Sequence, residues 1–185
     1  MAYRPPEENP LTFPDPLAWY AFYTRARHEQ RVDLRLRHLG FDTFLPKILV
    51  QRQWRDRKKM IEWPLFPGYI FVRGTPYDVR KIVATAGVVS VVRTNGEATP
   101  VSVRELENVR RLIEALLASG TVAERVPLQP GTLVRVSDGP FKGVEGLIVE
   151  QRNRRRFVVQ LTAIGEGLVV VADDRLLEVV PAESQ

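Results

Sequence analysis

A Pro-Gly turn that runs straight into an alternating strand constrains this chain more than any other feature: Pro64-Leu65-Phe66-Pro67-Gly68-Tyr69-Ile70-Phe71-Val72-Arg73. Side chains of a strand alternate between faces, so Tyr69 and Phe71 point one way and Ile70 and Val72 the other. One face can serve a core. The other then offers two large rings to something else.

The elements around this strand follow from periodicity and punctuation. Trp19-Tyr20-Ala21-Phe22-Tyr23 reads as a buried first strand. A helix follows over Arg27 to Leu39, where Val32, Leu36 and Leu39 share a face and Gly40 supplies the left-handed stop. Phe41 to Gln53 reads as extended, Arg55-Asp56-Arg57-Lys58 as a hairpin tip, and Lys59 to Trp63 as the returning strand. Thr75, Pro76 and Asp78 open a short helix that ends near Gly87. Val88 to Val92 is a strand, and Asn95-Gly96 is a turn. Ser102-Val103-Arg104-Glu105 is a capping box, and the helix it opens carries Leu106, Val109, Ile113, Leu116 and Leu117. This half is therefore α+β, a sheet with three helices.

The texture changes after that helix. Residues 119–130 contain Ser119-Gly120, Pro127 and Pro130 and read as a linker. Beyond it, Leu133–Val136, Val144–Glu150, Phe157–Leu161, Leu168–Val171 and Leu176–Val180 are short β-rich runs separated by glycines, the pattern of a small five-stranded barrel. A helical hairpin is disfavoured here: Gly139, Gly143 and Gly146 would each cost about 1 kcal/mol inside a helix, and Pro140 about 3 kcal/mol. The expected organisation is a Pro-rich tail at 1–17, a first domain at 18–118, the linker at 119–130 and a second domain at 131–183. Five of the first sixteen residues are proline, which suits an extended or disordered tail.

Composition excludes several function classes. There is no cysteine, hence no disulfide framework and no thiolate metal site, consistent with a reducing cytoplasm. No apolar run approaches the ~20 residues of a membrane span. His28 and His38 are the only histidines and lack a metal-ligand cluster. There is no nucleophile elbow, no dinucleotide glycine fingerprint and no Gly-Lys-Ser/Thr phosphate loop. A non-enzymatic chain without a cofactor is expected. The net charge of +5 is local: Lys47, Arg52, Arg55, Arg57, Lys58 and Lys59 face only Asp56 across one short stretch. Such a patch suits phosphate or an acidic protein surface.

The ordered motifs resemble the NusG/RfaH family of bacterial transcription elongation factors. The resemblance runs from Ala18 to about Pro181. It passes through Trp19-Tyr20, Arg27-His28-Glu29, Pro64 to Val72, Ala86-Gly87-Val88 and Ala98-Thr99-Pro100, as in an NGN domain. It continues through Val134 to Gly146, as in a KOW domain. The resemblance implies a cytoplasmic, monomeric elongation or antitermination factor. Its first domain would bind the clamp helices of the largest RNA polymerase subunit, next to DNA at the upstream fork of the bubble, and suppress pausing. Its KOW domain would tether a small-subunit ribosomal protein or the Rho helicase. The segment Trp19 to Glu29 looks more like specialised, operon-level paralogs than the general factor. A KOW-type RNA-binding module of ribosome or RNA processing is the alternative.

Candidate residues divide accordingly. Parity groups Ala21 with Tyr23 and Tyr69 with Phe71. Parity alone allows Tyr23, Tyr69 and Phe71 to be core, whereas the resemblance implies that they, with Phe66 and Ala21, form the polymerase contact. Arg52, Arg55, Arg57, Lys58 and Lys59 either lie along nucleic acid or solvate a hairpin tip, and Trp54 either stacks on a base or caps the core. Phe141 and Lys142, on the turn Asp138-Gly139-Pro140-Phe141-Lys142-Gly143, are the partner contact that the resemblance implies. Phe141 as a lid on the barrel is the other reading. A solvated turn is the reading for Arg152, Arg154, Arg155 and Arg156.

Overall fold

The computed structural model describes residues 17–53, 58–119, 124–127, 131–151, 154–170 and 177–180. The expected Pro-rich tail, apart from Leu17, lies outside them, as do Trp54, Arg55, Arg57 and Arg152.

Strand β1 (Ala18–Thr24) is central to the first sheet. It pairs antiparallel with β5 (Tyr69–Gly74), which pairs on its far side with β2 (Asp42–Phe44). The other edge of β1 is shared by β6 (Val88–Val91) and β9 (Pro100–Val101), with a bulge between Tyr23 and Thr24. Between β6 and β9, β7 (Arg93–Thr94) and β8 (Glu97–Ala98) close on the Asn95-Gly96 turn. Both turn residues have positive φ, 53° and 88°, as a tight hairpin turn requires. β3 (Lys47–Gln53) and β4 (Lys58–Pro64) form a separate two-stranded hairpin.

Helices cover both faces of this sheet. Helix α1 (Glu29–His38) and the short α2 (Asp78–Val83) put Val32, Leu36, Val79 and Ile82 against Tyr20, Phe22, Ile70 and Val72. Helix α3 (Val103–Ser119) puts Leu106, Val109, Leu112 and Leu116 in one cluster with Ala21 and Phe71 on the opposite face. Full burial of each large side chain contributes about 1.5–3 kcal/mol. The alternation read from β5 is therefore real, but both of its faces are core.

The helix ends follow the sequence with two differences. Gly40 stops α1 at φ 85°, and the Gly40 and Phe41 amides donate to the Arg37 and Leu36 carbonyls, a Schellman arrangement. At α2, Thr75 and Asp78 bond reciprocally as the capping box predicts, the Thr75 amide donating to Asp78 Oδ2 at 2.9 Å. At α3 only half of the expected box forms. Ser102 Oγ accepts the Glu105 amide, but the Glu105 carboxylate turns away to Thr162 Oγ1, at 2.6 Å. The α3 face also differs, because Leu112 and Ala115 are buried while Leu117 is 54 % exposed. A helix lodged between two bodies buries a wider stripe than one covering a single sheet.

The C-terminal part is a six-stranded antiparallel sheet among the described residues. Its order is β10 (Glu124–Pro127), β14 (Glu166–Val170), β13 (Arg154–Leu161), β12 (Glu145–Gln151), β11 (Thr132–Val136) and β15 (Leu177–Val179). Among the described residues each of the five predicted β runs forms a strand, and none of them forms a helix. β10 falls inside the segment read as a linker. Its four residues show no usable period alone and become a strand by pairing with β14. Gly146 is required by close approach: a Cβ there would sit 2.6 Å from the Val158 carbonyl oxygen.

Candidate interaction surfaces

The first candidate surface is built where β1 ends and β5 begins. Their register sets Tyr23 opposite Tyr69 and Ala21 opposite Phe71, so parity grouped these residues on the correct face. The two tyrosine rings tilt against each other at 4.8 Å between centroids. Tyr23 is 39 % exposed and Tyr69 half-buried. The other three expected contact residues lie beneath α3: Ala21 and Phe71 are fully buried and Phe66 is 1 % exposed. Phe71 is enclosed by Phe44 and by an edge-on contact with Phe66. In this arrangement Ala21, Phe66 and Phe71 hold the sheet to α3, and only the tyrosine pair meets solvent.

The turn beside the pair is fixed by a residue the candidate set did not include. Gly68 has φ 86°, a left-handed conformation that glycine adopts without steric cost. Its amide donates to Glu29 Oε1 at 2.8 Å, and its carbonyl accepts the Thr24 amide, also at 2.8 Å. The buried Glu29 thus clamps the first turn of α1 to the Pro-Gly turn. Arg25 and Arg27 lie exposed in the β1–α1 turn, where Arg27 takes φ 62°. An acid in a first turn is ordinary for a helix, so Glu29 stood out only as part of the Arg27-His28-Glu29 motif and not for a role of its own.

The basic hairpin is a regular ladder. It runs from Lys47 opposite Pro64 to Gln53 opposite Lys58, with Arg52 opposite Lys59. Its base rests on α3, and Ile48 packs against the α3 core. Lys58 is exposed, and so are Leu49 and Met60. The β3–β4 ladder therefore brings Arg52, Lys58 and Lys59 to one end of the hairpin.

The third candidate, the loop after β11, is turned inward. Gly139 and Gly143 take positive φ, and Phe141 is only 6 % exposed in the cluster that contains α3. This corrects the expectation of an exposed Phe141 anchor: an aromatic ring gains more by closing a core than by standing in water. Lys142 is exposed.

The loop lies at a junction that sequence reading did not foresee. Glu145, at the start of β12, has a side chain 6 % exposed between Arg104 of α3, at 2.6 Å, and Arg135 of β11, at 3.0 Å. The Arg104 hydrogen bond, opposed by burial and helped by Arg135, lowers its pKa from the ordinary 4.5 to about 2. The Glu145 amide donates to Asn108 Oδ1, and Arg111 donates to the Gly143 carbonyl. With Glu105 on Thr162, four polar side chains of α3 hold the C-terminal sheet.

Among the described residues no three His, Cys, Asp or Glu side chains could together hold a metal ion. No helix among them is long and apolar enough to cross a membrane.

One long helix thus joins a helix-covered sheet to a second, all-antiparallel sheet. The family model described as transcription termination factor NusG matches residues 17–110. The chain is 30 % identical to the transcription termination/antitermination protein NusG of Deinococcus radiodurans, over 72 % of this chain and 83 % of the relative. The corresponding Thermus thermophilus protein is 24 % identical, over 85 % of this chain and 95 % of the relative. A solved structure concerned with domain interaction in Thermotoga maritima NusG aligns over 90 % of this chain and 98 % of its own, with 23 % identity and a TM-score of 0.46. The chain belongs to the NusG family. It is a transcription factor of NusG type and not an enzyme.

Proposed function

We propose that this protein is a cytoplasmic elongation and antitermination factor that grips the clamp helices of the largest RNA polymerase subunit and suppresses pausing. The observation carrying the proposal is the Tyr23–Tyr69 pair, the accessible end of an otherwise covered face. Tyrosines suit such a contact because the ring buries much area at little entropy cost while the hydroxyl bonds polar groups. The factor acts by binding energy: if it binds the closed clamp better than the swung-open one, the paused state loses population. The basic hairpin with Arg52, Arg55, Arg57, Lys58 and Lys59 lies along DNA at the upstream fork. The C-terminal sheet is a KOW tether for a ribosomal protein or Rho. Contact through Phe141 would require that sheet to leave α3. The character of Trp19 to Glu29 supports an operon-level role.

The test is Tyr23→Ala and Tyr69→Ala in the full chain. Each should weaken binding to a clamp-helix fragment by about 2 kcal/mol, as for aromatic hot spots, and lengthen pauses in single-round transcription. Wild-type clamp binding by folded variants would sink the assignment of this surface.

A further inference from the structure

The turn that leads from β1 into α1 is built at a cost to the fold. The His28 amide donates to the Arg25 carbonyl at 3.0 Å and closes a four-residue turn with Arg27 as its third residue. Arg27 has φ 62°, and a third turn residue with positive φ is ordinarily glycine or asparagine. At every other left-handed position among the described residues the chain keeps to that rule, with seven glycines and Asn95. An arginine there carries backbone strain that glycine would avoid. Its cation also stands at the positive end of the α1 dipole.

Among the described residues nothing offsets either cost. The Arg27 side chain is exposed and has no hydrogen-bond or ion-pair partner. The nearest acid in the chain, Glu29, is turned inward to the Gly68 amide. The turn is nonetheless fixed on two sides by backbone bonds. The Thr24 amide donates to the Gly68 carbonyl at 2.8 Å, and the Arg25 amide to the Gly87 carbonyl at 2.9 Å. Strain imposed by an over-determined frame on an exposed, unpaired cation points to a contact outside the molecule.

The same frame says where that contact lies. Thr24 follows Tyr23 and Gly68 precedes Tyr69, so the bond between Thr24 and Gly68 ties this turn to the tyrosine pair. The two rings lean on each other at 42° and do not offer parallel faces to stacked bases. They suit the side chains of a protein helix. We propose that Arg27 is a specificity-determining residue of this surface, held in its left-handed conformation to pair with a carboxylate of the protein that the tyrosines grip. The inference rests on the clamp reading and adds a chemical requirement to it: the helix packed on Tyr23 and Tyr69 carries an acidic residue at the edge of the contact. A charge at the rim of an interface acts mainly on association rate and salt dependence.

The test compares Arg27→Gly, Arg27→Lys and Tyr23→Ala in the full chain. Arg27→Gly relieves the strain, so its urea midpoint should stay the same or rise. Its affinity for the clamp-helix fragment should nevertheless fall about fivefold, mostly through slower association. The deficit should vanish at about 1 M salt, where the Debye length is about 3 Å. Arg27→Lys keeps the charge and should bind nearly as wild type. A lower urea midpoint for Arg27→Gly would show that the arginine serves the fold, against the proposal. Wild-type binding by Arg27→Gly while Tyr23→Ala weakens would overturn the inference and leave the clamp reading standing. Wild-type binding by both would overturn both. A deficit that persists at high salt would mean an altered turn, and one confined to fork-DNA crosslinks would give the cation to phosphate. Either result refutes the pairing.

Discussion

Replacing Glu145 by Gln tests the junction at its most buried charge. The carboxylate is held at a pKa of about 2 against an ordinary 4.5. At ~1.4 kcal/mol per pKa unit this corresponds to about 3 kcal/mol favouring the charged form. The two guanidiniums are half-exposed, 46 % for Arg104 and 50 % for Arg135. Solvent screening therefore lowers the figure to about 2 kcal/mol. Arg104 is the largest cause and the only one of the two from α3, so about 1 kcal/mol crosses the junction. Gln keeps the shape and one acceptor but removes the charge. Urea unfolding of wild type, Glu145→Gln, Arg104→Met and the double variant should give a coupling energy of about 1 kcal/mol. The pH dependence has a definite sign. A carboxylate with a depressed folded pKa contributes stability that is complete above 4.5 and disappears as pH falls toward 2. Wild type should lose this part over that window, and Glu145→Gln should lack it. Additive substitutions, or identical acid profiles of wild type and Glu145→Gln, would refute the reasoning.

Phe71→Ala should cost about 3–5 kcal/mol in chemical denaturation, as core Phe truncations do, whereas Tyr23→Ala, at an exposed site, should change the midpoint little. Gly68→Ala should destabilise by about 1–2 kcal/mol, the cost of a left-handed alanine; no atom lies within 4 Å of the added methyl group, so an unchanged urea midpoint would show that the turn relaxes. Replacing Arg55, Arg57 and Lys58 with Ser should leave clamp binding intact, abolish crosslinks to fork DNA, and reduce the slope of log affinity against log salt by about 0.9 for each lost duplex phosphate contact. Unchanged crosslinks would return the hairpin tip to a solvated role.

Local signals in the chain determined which segments form elements and which residues share a face. Gly40 ended α1, Thr75 and Asp78 capped α2, and Asn95-Gly96 made its turn, because each signal acts within a few residues of backbone. Period-two alternation placed Tyr69 with Phe71 correctly, and the β-rich runs after Gly131 became strands. Alternation defines a face but not its cover. Tertiary structure decided that α3 lies over Phe71, Phe66 and Ala21 and stops short of the tyrosine pair. It also drew Glu105 out of its capping box to Thr162, turned Phe141 inward, made a strand of Glu124–Pro127, and brought Arg104 to Glu145, 41 residues away. These outcomes depend on which surfaces meet, a long-range packing energy that no local pattern of residues encodes.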